Sequence, residues 1–184
     1  PVSAQAPAPS PAAPAAKAPG AGTLARDVEL GRRLDALLAA PDGGMAWSIN
    51  VEAVLVRDAP VRRIRLFSDG LGIWDGESQF RLPAEARREI LKAFRDNGFC
   101  LFNDELYHKG SGAKRSPNVL IQEHAITLEI GGVSKTVAHI VSSFGRVPDV
   151  EAGADSLRRI VAVVGKLCEG PAAGGVRAKD LGDG

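Results

Sequence analysis

Two closely spaced Asp-Gly pairs, at residues 69–70 and 75–76, place the tightest limit on how this chain folds. Glycine supplies the positive φ that a tight type I′ turn needs, so each pair predicts a hairpin between short strands. The flanking runs 61–67, 71–74 and 79–82 carry the apolar and β-branched residues typical of strands. Together they predict an antiparallel meander.

A Gly-Gly pair at 131–132 predicts a second hairpin. Its two strands are predicted at 119–130 and 133–141, and the second half of the first one alternates between apolar and polar side chains. A further strand is predicted at 47–57. The short apolar run 99–102 predicts a buried strand.

Three helices are predicted at 24–40, 83–97 and 155–168, where apolar side chains recur at three- and four-residue spacing. Thr23 and Asp155 are the predicted N-caps of the first and the last. The sequence therefore predicts an α+β fold, in which an antiparallel sheet of hairpins and meander has two to three helices packed on one face.

Two glycines are predicted to adopt the left-handed backbone conformation. Gly70 lies in the first Asp-Gly turn, and Gly98 follows Asn97 at the end of the second helix, where a left-handed residue closes the last turn. A larger side chain at either position is therefore expected to strain the backbone.

The chain divides into three parts by composition. Residues 1–22 are mostly Ala and Pro and cannot bury enough apolar area to fold, so they are predicted to be a disordered tether. Residues 23–169 form a single domain, and 170–184 form a flexible Gly-rich tail. A Pro/Ala tether that begins at Pro1 predicts a processed, exported protein, with room for a lipid anchor upstream of residue 1.

Composition excludes several function classes. The 23 basic and 22 acidic side chains give a net charge of +1, which argues against a general nucleic-acid binder. No apolar run approaches the roughly 20 residues that span a bilayer, so no transmembrane segment is expected. The GxSxG, HExxH and phosphate-loop motifs are absent, and no cofactor is predicted.

A set of turn and core residues carries a family resemblance. It comprises the run RIRLFSDGLGIWDG at 63–76, the Asn-Gly-Phe at 97–99, Tyr107, the Ile-Thr-Leu at 126–128 and the Lys-Thr-Val at 135–137. In these features the stretch from 61 to about 167 resembles small uncharacterised domains of exported bacterial proteins, some of them lipoproteins. The resemblance implies export, and it implies no established activity and no functional residue.

The candidate metal site is the pair His124 and His139. A two-residue turn at 131–132 sets a register in which these histidines face each other across adjacent strands, close enough to share a metal ion. Strand alternation places Glu123 and Glu129 on the opposite face, where neither easily adds an oxygen ligand. Two partly buried strand histidines without a ligand are the competing interpretation.

Two cysteines form the other candidate pair. Cys100 and Cys168 have no metal-type spacing, and in an oxidising compartment a disulfide between them would close a long loop. Two buried thiols acting as small apolar side chains are the alternative. Nucleophilic catalysis by either cysteine is not favoured, because no histidine is placed beside it by the sequence.

Three polar segments favour solvated surface over chemistry. The loop 108–116 is basic and Gly-rich but lacks the spacing of a phosphate loop. Arginines at 57, 62, 63 and 65 lie near acidic residues and indicate a salt-bridged face. The dipeptide Asp104-Glu105 is predicted to be an ordinary loop.

The predicted function is a non-catalytic one. We expect an exported domain, periplasmic, membrane-tethered or secreted, that binds a protein or an envelope component. The alternative is a metal-binding or hydrolytic domain that uses the hairpin of His124 and His139. A purely structural spacer or assembly subunit is the third class.

Overall fold

The computed structural model of the protein describes residues 21–40, 44–53, 62–109, 120–142 and 150–169. The predictions for the tether up to residue 20, the tail from 170, the strand end at 54–57 and the loop from 110 to 116 lie outside these ranges. The described elements, in chain order, are helix α1 (Ala21–Ala39), strands β1 (Trp47–Ala53), β2 (Arg62–Phe67), β3 (Leu71–Trp74) and β4 (Ser78–Arg81), helix α2 (Ala84–Asp96), a 3₁₀ turn (Phe99–Leu101), strands β5 (Glu105–Lys109), β6 (Leu120–Ile130) and β7 (Val133–Ser142), and helix α3 (Val150–Glu169).

The described residues form an α+β fold of three helices packed against one seven-stranded sheet, which confirms the predicted class. The strand order is β4-β3-β2-β1-β6-β7-β5, and every neighbouring pair is antiparallel except β5 with β7. One face of the sheet carries the buried residues, such as Ile49, Leu66 and Leu128. The other face presents exposed side chains such as Arg65 and Thr136. Antiparallel sheets commonly have one face solvated in this way.

The turns follow the glycine chemistry with one difference. Asp75 and Gly76 both have positive φ, at 47° and 81°, as a type I′ turn requires, and the two glycines at 131–132 do the same. In the first Asp-Gly pair only Gly70 has positive φ, at 87°. The connection between β2 and β3 is therefore a turn in which Gly70 is the left-handed residue. The Gly70 amide closes this turn by donating to the Phe67 carbonyl. The predicted positive φ is confirmed at Gly70 and at Gly98, where φ is 69°.

The predicted strand at 99–102 is wrong. Gly98 ends α2 in the left-handed conformation, and the chain then winds into the 3₁₀ turn Phe99–Leu101. Phe99 is fully buried and Cys100 and Phe102 pack partly against the core, while Leu101 is 88% exposed. The strand that follows is β5, within which Glu105 lies, although its sequence lacks a continuous apolar run.

The predicted N-caps are also wrong. Thr23 and Asp155 lie inside α1 and α3, which begin at Ala21 and Val150. The extra first turn of α3 brings Gly153 close to Leu106 of β5. A Cβ added to Gly153 would lie 3.3 Å from a methyl carbon of Leu106 and would crowd that side chain.

Candidate functional site

The predicted histidine pair is brought together as the register required. His124 lies opposite His139 across β6 and β7, and Ile130 lies opposite Val133 at the turn. The two rings are nearly parallel, with centroids 6.1 Å apart. His139 is fully buried and His124 half-buried, on the face that the helices cover.

A β-bulge interrupts the ladder directly beside this pair. Gln122 lies opposite Ile140 and His124 opposite His139, so Glu123 is the extra residue that has no counterpart on β7. The simple alternation used to place Glu123 on the far face therefore stops at this point. Glu129, in the regular part of β6, is exposed on the far face as predicted.

Metal binding at the histidines stays a prediction. Across the described ranges, no three histidine, cysteine, aspartate or glutamate side chains come together in a group that could hold a metal ion. The strand neighbour of His139 on β5 is Leu106, which is buried and apolar. The pair would therefore need further ligands from elsewhere to form a tetrahedral site.

The predicted disulfide also stays a prediction. Cys100 carries a free thiol and lies beside α1. A Cβ added to Gly31 of that helix would lie 3.8 Å from the Cβ of Cys100. Cys168 is buried near the end of α3. Burial raises the pKa of the Cys100 thiol from 9.0 to about 11, against a smaller lowering by the nearby Lys135 charge. A thiol with that pKa is a poor nucleophile at neutral pH, because the thiolate is the reactive form.

The remaining predicted positions do not converge on one site. Asp104 accepts a hydrogen bond of 2.7 Å from Arg26, and Glu105 is the first residue of β5. Arg63 pairs with Glu52 across β1 and β2 at 3.2 Å, as a salt-bridged face would. His108 and Lys109 lie in β5, and the rest of the basic loop lies outside the described residues.

Sequence inspection missed a lysine buried in the core. Lys135 follows the apolar face of β7, two residues from Val133 and Val137, and its side chain is fully buried. Its Nζ donates to Asp27 Oδ2 at 2.7 Å, to the Cys100 carbonyl at 3.2 Å and to the Phe102 carbonyl at 2.5 Å. An ammonium has three donors, so all of them are used within the protein. A lysine in phase with two valines on a strand was the signal that could have revealed it.

A second missed feature is a groove of about 300 Å³ between the end of α1 and the start of α2. We call it the α1–α2 groove. Its apolar walls are Leu37, Leu38, Met45, Trp47 and Leu91. Its polar rim consists of Ser68, Asp69, Arg87 and Arg88. Ligand sites in proteins generally combine mostly apolar walls with a few polar groups, and this volume lies at the small end of their range.

Hydrogen bonds of the backbone hold the walls of the groove in place. The Ser68 amide donates to the Trp47 carbonyl at 3.0 Å, and the Gly131 amide donates to the Ala46 carbonyl at 2.9 Å. The Leu82 amide donates to the Gly70 carbonyl at 2.8 Å, which ties the β2–β3 turn to the start of α2. Backbone hydrogen bonds therefore hold the groove residues Ala46, Trp47 and Ser68 in place.

Arg87 is the most unusual side chain of the rim. Its Nη1 donates to the Ser68 carbonyl, but its buried Nε has no hydrogen-bond partner among the described residues. Gly70 packs against the same side chain, since a Cβ added there would lie 3.6 Å from Nε. An unsatisfied buried donor generally costs about 1–3 kcal/mol, so this one needs an explanation.

Charged groups of both signs and the start of α2 meet at this end of the groove. Pro83 is the N-cap of α2 and supplies no side-chain hydrogen bond to the first turn, whose Ala84 lines the groove. Asp69 is the acidic residue of the rim, but its Oδ1 accepts from the Leu71 amide and its Oδ2 lies 3.6 Å from Arg81. Glu85 adds one exposed carboxylate in the first turn of α2. Asp69 is thus engaged within the protein, whereas Arg87 and Arg88 line the groove beside the uncapped helix start.

Comparisons with family models, with curated proteins and with solved structures find no match to this chain. Within the described residues, no helix combines the length and the apolarity needed to cross a bilayer.

Proposed function

We propose that this protein is a non-catalytic binding domain and that its ligand site is the α1–α2 groove. The observation that carries the proposal is the preformed cavity of about 300 Å³, which has an apolar floor and a cationic rim. Trp47 and Leu91 are almost fully buried, so they line the floor rather than the open surface. A fixed apolar floor binds an apolar ligand without first having to be ordered.

The chemistry of the other candidate groups supports binding rather than catalysis. The Lys135 ammonium is fully engaged with Asp27 and two carbonyls, and it is therefore not available as a base or nucleophile. The raised pKa of Cys100 leaves little thiolate at neutral pH. Neither residue lines the groove.

The place of this binding is proposed from the sequence. The Pro/Ala composition of residues 1–22 and the resemblance to exported bacterial domains support an exported protein, and its partner would then be a protein or a component of the cell envelope. Fractionation of source cells, with detection by antibody, tests this. Recovery of the protein in the cytoplasmic fraction alone would contradict export.

The binding site is tested with 1-hexanol, a neutral apolar probe, and with Trp47 as the reporter. In Trp74→Phe the remaining Trp47 lies in the groove, so its emission should change as hexanol binds. Roughly seven non-hydrogen atoms at about −0.5 kcal/mol each predict a dissociation constant in the millimolar range. Ala84→Phe, which fills the groove, should abolish the change. Ala36→Phe, on the exposed side of α1, is the matched control and should leave it intact.

A second candidate function is metal binding at His124 and His139. The observation that favours it is the cross-strand register, which sets the two rings with centroids 6.1 Å apart. Calorimetric titration with Zn²⁺ tests it on the parent chain and on His124→Gln. Micromolar binding that the substitution abolishes would support a metal site, and absence of binding would remove it.

A further inference from the structure

We propose that the α1–α2 groove recognises a small amphipathic carboxylate, a molecule with a short apolar chain that ends in a carboxylate group. This inference rests on the proposed function, because it names the ligand class of the same site. Two independent observations support it, the charge of the rim and the composition of the walls. The size of the cavity limits the length of the chain.

The rim favours an anion. Arg87 and Arg88 occupy neighbouring positions on the first turns of α2, and neither forms an ion pair with an acidic residue of the described chain. The Arg87 Nε lacks a partner, and its fork geometry suits a carboxylate, which can accept two parallel hydrogen bonds. Because Nε is covered, a carboxylate reaches it only after the Arg87 side chain rotates. The uncapped start of α2 adds amide donors at the same end.

The walls favour an acyl chain over a peptide. Leu37, Leu38, Met45 and Leu91 offer no hydrogen-bonding side chain to the body of a ligand. The Ser68 carbonyl already accepts from Arg87, and Asp69 Oδ1 already accepts from the Leu71 amide. A peptide would leave its own amide groups without partners in such a groove, and that penalty disfavours it.

The volume favours a short ligand. About 300 Å³ lies at the small end of the range for ligand sites. A six-carbon carboxylate is a ligand of that kind. Hexanoate is therefore a suitable probe, and 1-hexanol and hexylamine are its neutral and cationic counterparts.

The experiment compares these three probes by calorimetry at constant ionic strength. Hexanoate is expected to bind about tenfold more tightly than hexanol, because a charge-assisted hydrogen bond is stronger than a neutral one. Hexylamine is expected to bind most weakly. Arg87→Met should bring hexanoate down to the affinity of hexanol. Arg95→Met, on the same helix but paired with Asp35 away from the groove, should keep the tenfold preference.

The possible failures are distinguishable. Equal affinities for hexanoate and hexanol would overturn the carboxylate assignment and leave the groove as a binding site. No binding of either probe would overturn the proposed function as well. Tighter binding of acetyl-leucyl-leucine than of hexanoate would overturn the acyl ligand in favour of a peptide carboxyl terminus. If Arg87→Met fails to fold, Arg87→Lys and the exposed Arg88→Met test the same preference, and each should reduce it.

Discussion

Lys135 and Arg87 are both basic side chains at the boundary between the helices and the sheet, yet their surroundings differ in one respect. Lys135 is fully buried, and its three donors are satisfied by Asp27 and by the carbonyls of Cys100 and Phe102. Arg87 lines an open groove, and its Nε has no partner in the described chain. A saturated cation holds the fold together, whereas a cation with spare hydrogen-bonding capacity beside a cavity is suited to a ligand.

The saturated site also joins distant parts of the chain. Lys135 on β7 connects α1, through Asp27, with the 3₁₀ turn, through the Cys100 carbonyl, and with Phe102 directly after it. Arg26 extends the cluster by donating to Asp27 and Asp104, and the hydrogen bond to Asp104 raises the pKa of Arg26 further. Among the described residues, the Arg87 side chain donates one hydrogen bond, to the Ser68 carbonyl of the neighbouring turn.

The largest expected effect comes from removing the saturated cation. Lys135→Met should lower the free energy of unfolding by about 3 kcal/mol, because Asp27 and two carbonyls lose their donor inside the protein. Urea unfolding monitored by circular dichroism measures the change. Ser134→Met, exposed on the same strand, is the control and should change stability by no more than about 0.5 kcal/mol. A loss below 1 kcal/mol in Lys135→Met would contradict the role of Lys135 in stabilising the fold.

The next effect concerns the thiol beside Lys135. The rise of the Cys100 pKa from 9.0 to about 11 leaves about a hundredfold less thiolate at pH 8, so iodoacetamide should modify Cys100 about a hundredfold more slowly than a cysteine in an unfolded peptide. Peptide mapping by mass spectrometry gives the rate in the presence of reductant. A rate equal to that of the peptide would contradict the raised pKa of Cys100. The same mapping without reductant tests the predicted disulfide between Cys100 and Cys168.

Substitutions at Gly70 and Gly98 test how the backbone beside the groove is held in place. Gly70 and Gly98 both have positive φ, but a Cβ on Gly70 would lie 2.7 Å from the Leu82 carbonyl oxygen, whereas on Gly98 the nearest contact is 3.7 Å. Gly70→Ala should therefore cost about 2–3 kcal/mol and Gly98→Ala about 1 kcal/mol. Because Gly70 packs against Arg87, only Gly70→Ala should also weaken hexanoate binding. Equal losses of stability and of hexanoate binding in both variants would show that Gly70 has no special role beside the groove.

The smallest expected effect lies at an exposed ion pair. Hydrogen bonds from Arg32 and Arg33 lower the pKa of Glu29 from 4.5 to about 2. A carboxylate with a lowered pKa in the folded state stabilises the protein above its unfolded pKa, and that contribution is lost as the pH falls from 4.5 towards 2. Glu29→Gln should therefore be slightly less stable than the parent at pH 7 and equal to it near pH 2. A constant difference across that range would be the contrary result.

The sequence predicted the turns well and the chemistry poorly. The Asp-Gly and Gly-Gly pairs are local signals with a stereochemical cause, and they led to the hairpin register that places His124 opposite His139. The run at 99–102 was misassigned because Gly98 starts a 3₁₀ turn there and a distant residue, Lys135, binds two of its carbonyls. The groove was missed because its walls come from four separate parts of the chain, including Leu37, Trp47 and Arg87, whose proximity depends on the tertiary fold.

The central claim is that Lys135 serves the fold and Arg87 serves a ligand, and thermal unfolding with and without 20 mM hexanoate tests it most directly. Lys135→Met should melt well below the parent but keep the upward shift that hexanoate produces, since a ligand that binds only the folded state stabilises it. Arg87→Met should melt within a few degrees of the parent and lose that shift. A melting temperature of Arg87→Met as low as that of Lys135→Met, or an undiminished hexanoate shift in Arg87→Met, would contradict the account.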